Sequence, residues 1–464
     1  MAAVRLAWFA SMPPPDSGAP VDLSAAALPL LAARHDIEVF SGTAADARAW
    51  SAWAVPVRDA YDFVWRSHQR PYDLVVYQLS SEPRHDYVWG YLFHYPGLVV
   101  LQDVHFHHAR ARILLEGREV RLRDYEAELQ FNHGIEPGVG ESLAACTGIV
   151  LHVWPMRRAV LAASRCVAVH NAWLGAELAH EAPEADIAVI RPGVMDPGTH
   201  AALRQRNGAR ELRQRLALPP DAIVVLLFGP LTRSRRLTVA MRAVAALQDS
   251  HPDLYLLLAG APTDECDPLK EAAAAGVLSR VRVTGAMPAA AMRDVLGAAD
   301  VAVCLRWPSP ADTNVPWLTC LACGLPAVIT DVAHNADIPV LDPRTWAIQH
   351  SGRAADVPGP IAVTVDLLDE AETLRLALRR LCADPALREQ IAHAGREWWA
   401  RHHTPEAMAE DYESAIARAA ARPRPRTVLP RHLRPDVFGH TRALLESMGA
   451  RLPAEFDAEF PPVT

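Results

Sequence analysis

Short apolar runs alternate with longer stretches whose apolar positions recur every three or four residues, from the start of the chain to about residue 420. Unbroken runs of valine, leucine and isoleucine mark strands covered on both faces, and the 3.6-residue spacing between them is that of crossover helices. The alternation predicts an α/β protein with parallel sheets. Strands are expected at Arg5–Ala10, Ile37–Phe40, Leu74–Gln78, Leu98–Gln102, Cys166–Val169 and Ile187–Ile190. A second set is expected at Ile223–Phe228, Leu254–Ala259, Val281–Thr284, Val301–Leu305 and Ala327–Thr330. Helical spacing is clear at Leu237–Leu247 and Met292–Leu296, and a long helical pattern runs from Ala371 to Ala420.

Two strand sets in 464 residues exceed one ordinary core and fit two domains. The expected division is an N-terminal domain over 1–195, a polar, Arg-rich linker over 196–221 containing Pro219-Pro220, and a second domain over 222–400. A helix over 401–420 is expected to return to the first domain, followed by an Arg/Pro-rich tail over 421–464. In that tail the alternation Arg422-Pro423-Arg424-Pro425-Arg426 cannot continue a helix. Between Arg418 and Arg434 stand six arginines and no acidic residue. Such a stretch reads either as a peripheral contact with anionic lipid or as an extended strap across the protein's own acidic surface. The helical spacing from Thr441 to Met448 suggests that the tail docks.

Composition narrows the class. Hydrophobic residues make up 50% and charged residues 22%, which argues against disorder. A formal net charge of −8 gives no sign of a nucleic-acid partner. The seven cysteines are irregularly spaced, so no disulfide framework is expected and a reducing, cytoplasmic setting fits better. The apolar N-terminus reads as a buried first strand rather than a secretory signal. The apolar run Leu143–Met156 is interrupted by His152 and too short to span a bilayer. Cys320 and Cys323 form a C-x-x-C spacing without a partner pair, which favours two small buried residues over a redox or zinc half-site.

Several segments resemble the retaining GT-B glycosyltransferases of family 4, also called glycosyltransferase group 1. They are Ala298-Ala299-Asp300-Val301 through Arg306, then Leu321-Ala322-Cys323-Gly324-Leu325-Pro326, together with Phe228-Gly229-Pro230-Leu231-Thr232 and the following Arg235-Arg236. Val283-Thr284-Gly285, His402-His403-Thr404, Tyr72–Tyr77 and Pro96–Asp103 add to the likeness, which extends from about Arg5 to Ala417. The resemblance implies two Rossmann-like domains whose parallel sheets face across a cleft. It implies transfer of a sugar, with retention of configuration, from a nucleotide-diphosphate donor to a glycan, lipid-linked or small-molecule acceptor, with no metal cofactor.

Such a reaction builds negative charge on a departing diphosphate, so fixed positive charge and backbone N–H groups are needed there. Arg235 and Arg236 are the candidate phosphate ligands. The N-terminus of a helix beginning near Val315, with Thr313 and Asn314 as caps, is the second source of positive potential. Gly18, Gly229 and Gly285 mark loops where backbone can approach the donor. Asp312 is the acidic candidate for donor-sugar hydroxyls, although the resemblance places the family's two glutamates on Ala311 and Thr319. Pro230 stands where the family has a phosphate-binding arginine, and Gln102 where it has a histidine facing the sugar. Gln102 can still hydrogen-bond a sugar and is kept as a catalytic candidate. Asp103, His105, His107 and His108 are assigned to the acceptor side, ahead of a metal-binding reading of the three histidines. The departures at Gln102, Pro230, Ala311 and Thr319 keep a second reading open, a non-catalytic GT-B protein that binds a partner.

Overall fold

The computed structural model describes residues 3–11, 23–42, 55–117, 120–144, 153–309, 313–349 and 359–434. Gly18, Ala311 and Asp312 lie outside the described residues, as does the stretch 435–464 with its helical spacing. The chain divides into two compact units. The first comprises 1–12, 28–190 and 411–464, and the second 13–27 and 191–410.

The first unit holds a seven-stranded sheet: β1 (Arg5–Phe9), β2 (Asp36–Ser41), β3 (Val57–Asp59), β4 (Leu74–Leu79), β5 (Leu98–Leu101), β6 (Cys166–Val169) and β7 (Ile187–Val189). Their spatial order is β3-β2-β1-β4-β5-β6-β7, and every pair is parallel. β1, β4, β5 and β6 are buried along their whole length, which is why their apolar runs are unbroken. Gly97 enters β5 where a Cβ would lie 2.0 Å from the Val75 carbonyl oxygen, so only glycine permits the β4–β5 approach.

The second unit holds β8 (Ile223–Phe228), β9 (Leu254–Ala259), β10 (Val281–Val283), β11 (Val301–Cys304), β12 (Ala327–Thr330), β13 (Val340–Leu341), β14 (Ile348–Gln349) and β15 (Ala362–Val365). The order is β10-β9-β8-β11-β12-β15-β13-β14, parallel except for the β13–β14 pair. Alternate residues of β8 serve opposite cores. Val224, Leu226 and Phe228 join one with Trp317, Leu318 and Val295. Val225 and Leu227 join the other with Met241, Val244 and Leu378. The sheet is thus a middle layer between two sets of helices. Six cysteines are free and buried among the described residues, Cys320 and Cys323 within the helix Val315–Cys323.

Three sequence expectations change. The polar stretch at 196–221 contains two helices, His200–Arg204 and Asn207–Arg215, that belong to the second unit; Leu203 and Leu212 bury themselves in its core. The edge strand β3 and the strands β13, β14 and β15 were not expected. β3 is Val-Arg-Asp and β13 and β14 have two residues each, so backbone pairing rather than an apolar run defines these three, whereas β15 is a buried apolar run that sequence reasoning missed. The helical pattern after Ala371 resolves into Glu370–Ala383, Pro385–His402 and Pro405–Ala421, each beginning beside a proline or an acidic first turn.

The boundary between the units falls inside the helix Pro405–Ala421. In its first-unit part, Tyr412 is fully buried, its ring 5.2 Å from that of Trp8, and its hydroxyl receives a hydrogen bond from Gln78 Nε2 at 3.1 Å. The chain beyond runs along the first unit. Arg418 and Arg422 both pair with Asp186, and Leu429 and Leu433 are buried. His432 Nε2 meets Glu128 at 2.7 Å. Up to Arg434 the tail is therefore a strap on its own unit, with Arg424, Arg426 and Arg431 exposed along it.

Candidate functional site

In an open parallel sheet the crevice for a ligand lies beyond the carboxyl ends of the strands, where the strand order reverses. In the second unit that point is between β8 and β11. The loops leaving these two strands carry most of the residues singled out by sequence. Gly229 ends β8 with φ of +100°. A Cβ there would meet Arg235 Nη2 at 2.8 Å, and a Cβ on Gly260 would lie 1.9 Å from the Gly229 carbonyl oxygen. The Gly229 backbone is thus held between a second glycine and the Arg235 guanidinium. Arg235 Nη1 donates to the Phe228 carbonyl at 3.0 Å, which fixes the guanidinium over the end of β8.

The β11 loop is tied to the same place. Trp307 N donates to the Ser234 carbonyl at 2.7 Å, and Arg306 N donates to Thr330 Oγ1 at 2.9 Å. Asn314 Nδ2 donates to the Cys304 carbonyl at 2.7 Å. That bond aims the start of the helix Val315–Cys323 at the crevice while leaving its first turn without a side-chain cap from Asn314. Pro316 occupies the first turn and Gly324, with φ of +76°, ends the helix. Gly229, Arg235, Thr313, Asn314 and Val315 therefore gather at one end of one sheet. Gly285, with φ of +71°, follows β10 at the same end but two strands from β8.

Arg236 does not join them. It takes φ of +60° as the residue before the helix Leu237–Leu247, and its side chain leaves in another direction. Its Nε lies 2.8 Å and 3.0 Å from the two oxygens of buried Glu370, an ion pair that raises its pKa through the Glu370 hydrogen bond. Arg236 is thus engaged by a carboxylate within the second unit. Thr319 is also engaged, its hydroxyl donating back to the Val315 carbonyl at 3.0 Å. Sequence reasoning gave no role to Arg306, two residues after β11, or to His334, in the turn after β12, which lie near enough for the Arg306 charge to lower the His334 pKa.

In the first unit the strand order reverses between β1 and β4. Gln102, after β5, donates its amide to Gln78 at 2.7 Å, close to the β4 end. Asp103 Oδ2 receives hydrogen bonds from Ser81 N and Ser81 Oγ, both at 2.9 Å, and so pins the β4 loop to the β5 loop. His105 donates its N–H to Asp103 at 3.3 Å, and His108 is exposed on the first turn of the helix His107–Leu115. His107 is the exception: it is fully buried with Nε2 at 2.6 Å from Tyr125 Oη, inside the core rather than on an acceptor surface. Among the described residues no group of three His, Cys, Asp or Glu side chains is placed to hold a metal ion.

Burial pushes His107 down to about 4, with neighbouring histidines adding to the effect. Burial, then the charge of Arg306, takes His334 down to about 4 as well. Both are neutral in the folded protein at pH 5, whereas an unfolded histidine takes up its proton near pH 6.5. The unfolded state thus binds more protons between about pH 6.5 and 4, and stability should fall as the pH drops through that window. Urea titrations at pH 7 and pH 5 should differ by roughly 2 kcal/mol per histidine. Burial also lowers His85, to about 3, so the paired variant His107→Gln/His334→Gln should remove only the share of these two residues, roughly 4 kcal/mol; an unchanged difference would assign it elsewhere.

Residues 222–347, which include this crevice, match the family described as glycosyl transferases group 1. An alpha-maltose-1-phosphate synthase of Mycobacterium tuberculosis is 27% identical over 259 residues, 54% of this chain and 62% of that protein. The chain thus spans under two thirds of that relative. Among solved structures, sucrose-phosphate synthase from Thermosynechococcus elongatus aligns with a TM-score of 0.58 at 16% identity, over 89% of this chain and 98% of that one. HepE from Anabaena, solved in complex with UDP-glucose, aligns with a TM-score of 0.57 at 13% identity, over 89% and 99% of the two chains. At such identities the likeness establishes the fold, which is GT-B.

Proposed function

We propose that the chain is a retaining glycosyltransferase that moves a sugar from a nucleoside-diphosphate donor to a glycan, lipid-linked or small-molecule acceptor. The observation that carries this reading is the meeting of the Arg235 guanidinium, the Gly229 backbone and the start of the helix Val315–Cys323 at the β8–β11 reversal. As the bond to the sugar breaks, charge grows on the diphosphate. A guanidinium with forked donors and the positive end of a helix lower the energy of that charge without reorganising. These protein groups take the part that a divalent cation plays elsewhere, so turnover is expected to persist in EDTA. The HepE complex makes UDP and UDP-glucose the first probes to use. A cytoplasmic location and a peripheral contact between exposed Arg424, Arg426 and Arg431 and anionic lipid are part of the same proposal.

Arg235→Ala should weaken UDP binding by about 1.5–3 kcal/mol, the range of a charge-assisted hydrogen bond. Arg236→Ala should leave UDP affinity within about twofold, because its side chain is held by Glu370. Calorimetry on the two variants checks this, and equal losses in both would remove Arg235 from its role. The non-catalytic reading draws on Thr319, whose hydroxyl is turned back onto its own helix. UDP binding without release of UDP from UDP-glucose, across a panel of acceptors, would favour it.

A further inference from the structure

A cavity of about 690 Å³ opens at the amino ends of β11 and β12, the end of the second sheet opposite the β8–β11 crevice. Its lining among the described residues lies wholly in the second unit. Gly324, which closes the helix Val315–Cys323, and Pro326, which leads into β12, are small and leave it room. One wall is a face of the helix Pro385–His402, on which Arg388, Ala392 and Arg396 recur at spacings of four. The helix His200–Arg204 supplies another. A volume of this size is that of a small-molecule site.

Two guanidiniums face this space with one edge anchored and the other unused. Arg388 Nη1 donates to the Leu381 and Cys382 carbonyls at 2.5 Å and 3.1 Å, at the end of the helix Glu370–Ala383. Its Nε and Nη2 make no hydrogen bond, and no carboxylate of the described residues pairs with it. Arg204 Nη1 is bound to Asp300, and again Nε and Nη2 are unengaged. Arg396 is used differently. It holds Asp196 at 2.8 Å and donates to the Ala322 carbonyl, so it screens the negative end of the helix Val315–Cys323 beneath the cavity.

The carboxylates of the lining are largely committed elsewhere. Asp300 is held by Arg204 and accepts the Val224 N–H at 2.9 Å. Glu397 meets His393 at 3.1 Å and Arg401 at 3.2 Å. Glu389, next to Arg388 and exposed, is the one lining carboxylate with no cationic partner among the described residues. The Nε–Nη2 edge of an arginine offers two parallel donors, the geometry that takes two oxygens of one phosphate. Two such edges match the three terminal oxygens and near-double charge of a phosphomonoester.

We propose that this cavity is a second small-molecule site, binding a phosphomonoester of sugar size through the Nε–Nη2 edges of Arg204 and Arg388. The site shares no residue with the donor crevice and does not depend on the glycosyltransferase reading.

The probes are glucose 6-phosphate, inorganic phosphate and glucose, titrated by calorimetry into the full chain. Glucose 6-phosphate should bind more tightly than inorganic phosphate, and glucose should give no binding heat. Affinity for glucose 6-phosphate should fall roughly tenfold or more in the paired variant Arg204→Gln/Arg388→Gln. Glu389→Gln, which removes the unpartnered anion, should raise it about twofold, a gain that misfolding cannot produce. UDP affinity should be the same in all of these chains. Absence of glucose 6-phosphate binding by the parent at millimolar concentration, or equal binding by the paired variant, overturns the site. Loss of binding in Arg235→Ala with the paired variant unaffected also overturns it, because the phosphate then sits in the donor crevice.

Discussion

Glu128→Leu is expected to cost about 3–5 kcal/mol, because it strands a buried guanidinium. Arg110 and Glu128 are both nearly inaccessible, with Arg110 Nε donating to Glu128 Oε2 at 2.7 Å and the guanidinium 4.6 Å from the centre of the Trp89 ring. Burial works to raise the Glu128 carboxyl, but Arg110 and His432 outweigh it and hold the carboxyl below its usual range. Removing the carboxylate leaves Arg110 without its counter-ion and frees the strap at His432. The double variant Arg110→Met/Glu128→Leu removes both charges and should recover most of the loss. Equilibrium urea unfolding distinguishes these outcomes. A single variant within about 1 kcal/mol of the parent would mean that water reaches Arg110 and that the pair is no more than a surface contact.

Shortening the chain to end at Glu410 should damage the first unit rather than the second. The cut removes Tyr412, Ala415, Ile416 and Ala419, all buried, together with Leu429 and Leu433. It uncovers Trp8 on β1 and leaves Gln78 on β4 without the Tyr412 hydroxyl. Tyr412→Ala alone should cost about 3–5 kcal/mol, the range for deleting a buried aromatic side chain. The shortened chain should lose more, enough to unfold a unit of ordinary stability. Hydrogen exchange localises the effect: amides of β1 and β4 should lose protection while those of β8 and β9 keep it. Protection retained throughout the first sheet in the shortened chain would refute the dependence.

Much of this architecture was legible because of how parallel sheets are buried. Residues such as Leu226 and Leu227 face opposite cores, so the whole of β8 has to be apolar and shows as a run. Strands of two residues or of polar sequence leave no such trace. β3 is held by backbone pairing along one side, and its Val-Arg-Asp sequence is that of a turn. The loops of the candidate site were legible for a related reason: Gly229, Gly285 and Gly324 are where the chain must turn left-handed after a strand or a helix. Arg236 holds a similar conformation without being glycine, at a cost of roughly 1 kcal/mol, and nothing in its neighbours signals this.

The sequence by itself determined the two sheets, the crossover helices between them and the end of the second sheet at which candidate residues gather, because strand burial and helix periodicity are local properties of side chains. Tertiary structure alone decided the partner of each charge. Arg235 and Arg236 are adjacent and chemically identical, yet one lies over Gly229 while the other reaches Glu370, 134 residues away. His107 and His108 are likewise neighbours, one in the core against Tyr125 and one in solvent. A single backbone step turns successive side chains to different surroundings, and the groups waiting there come from remote parts of the chain. No local pattern carries that information, so the division of arginines and histidines between structure and chemistry emerges only when the sheet is assembled.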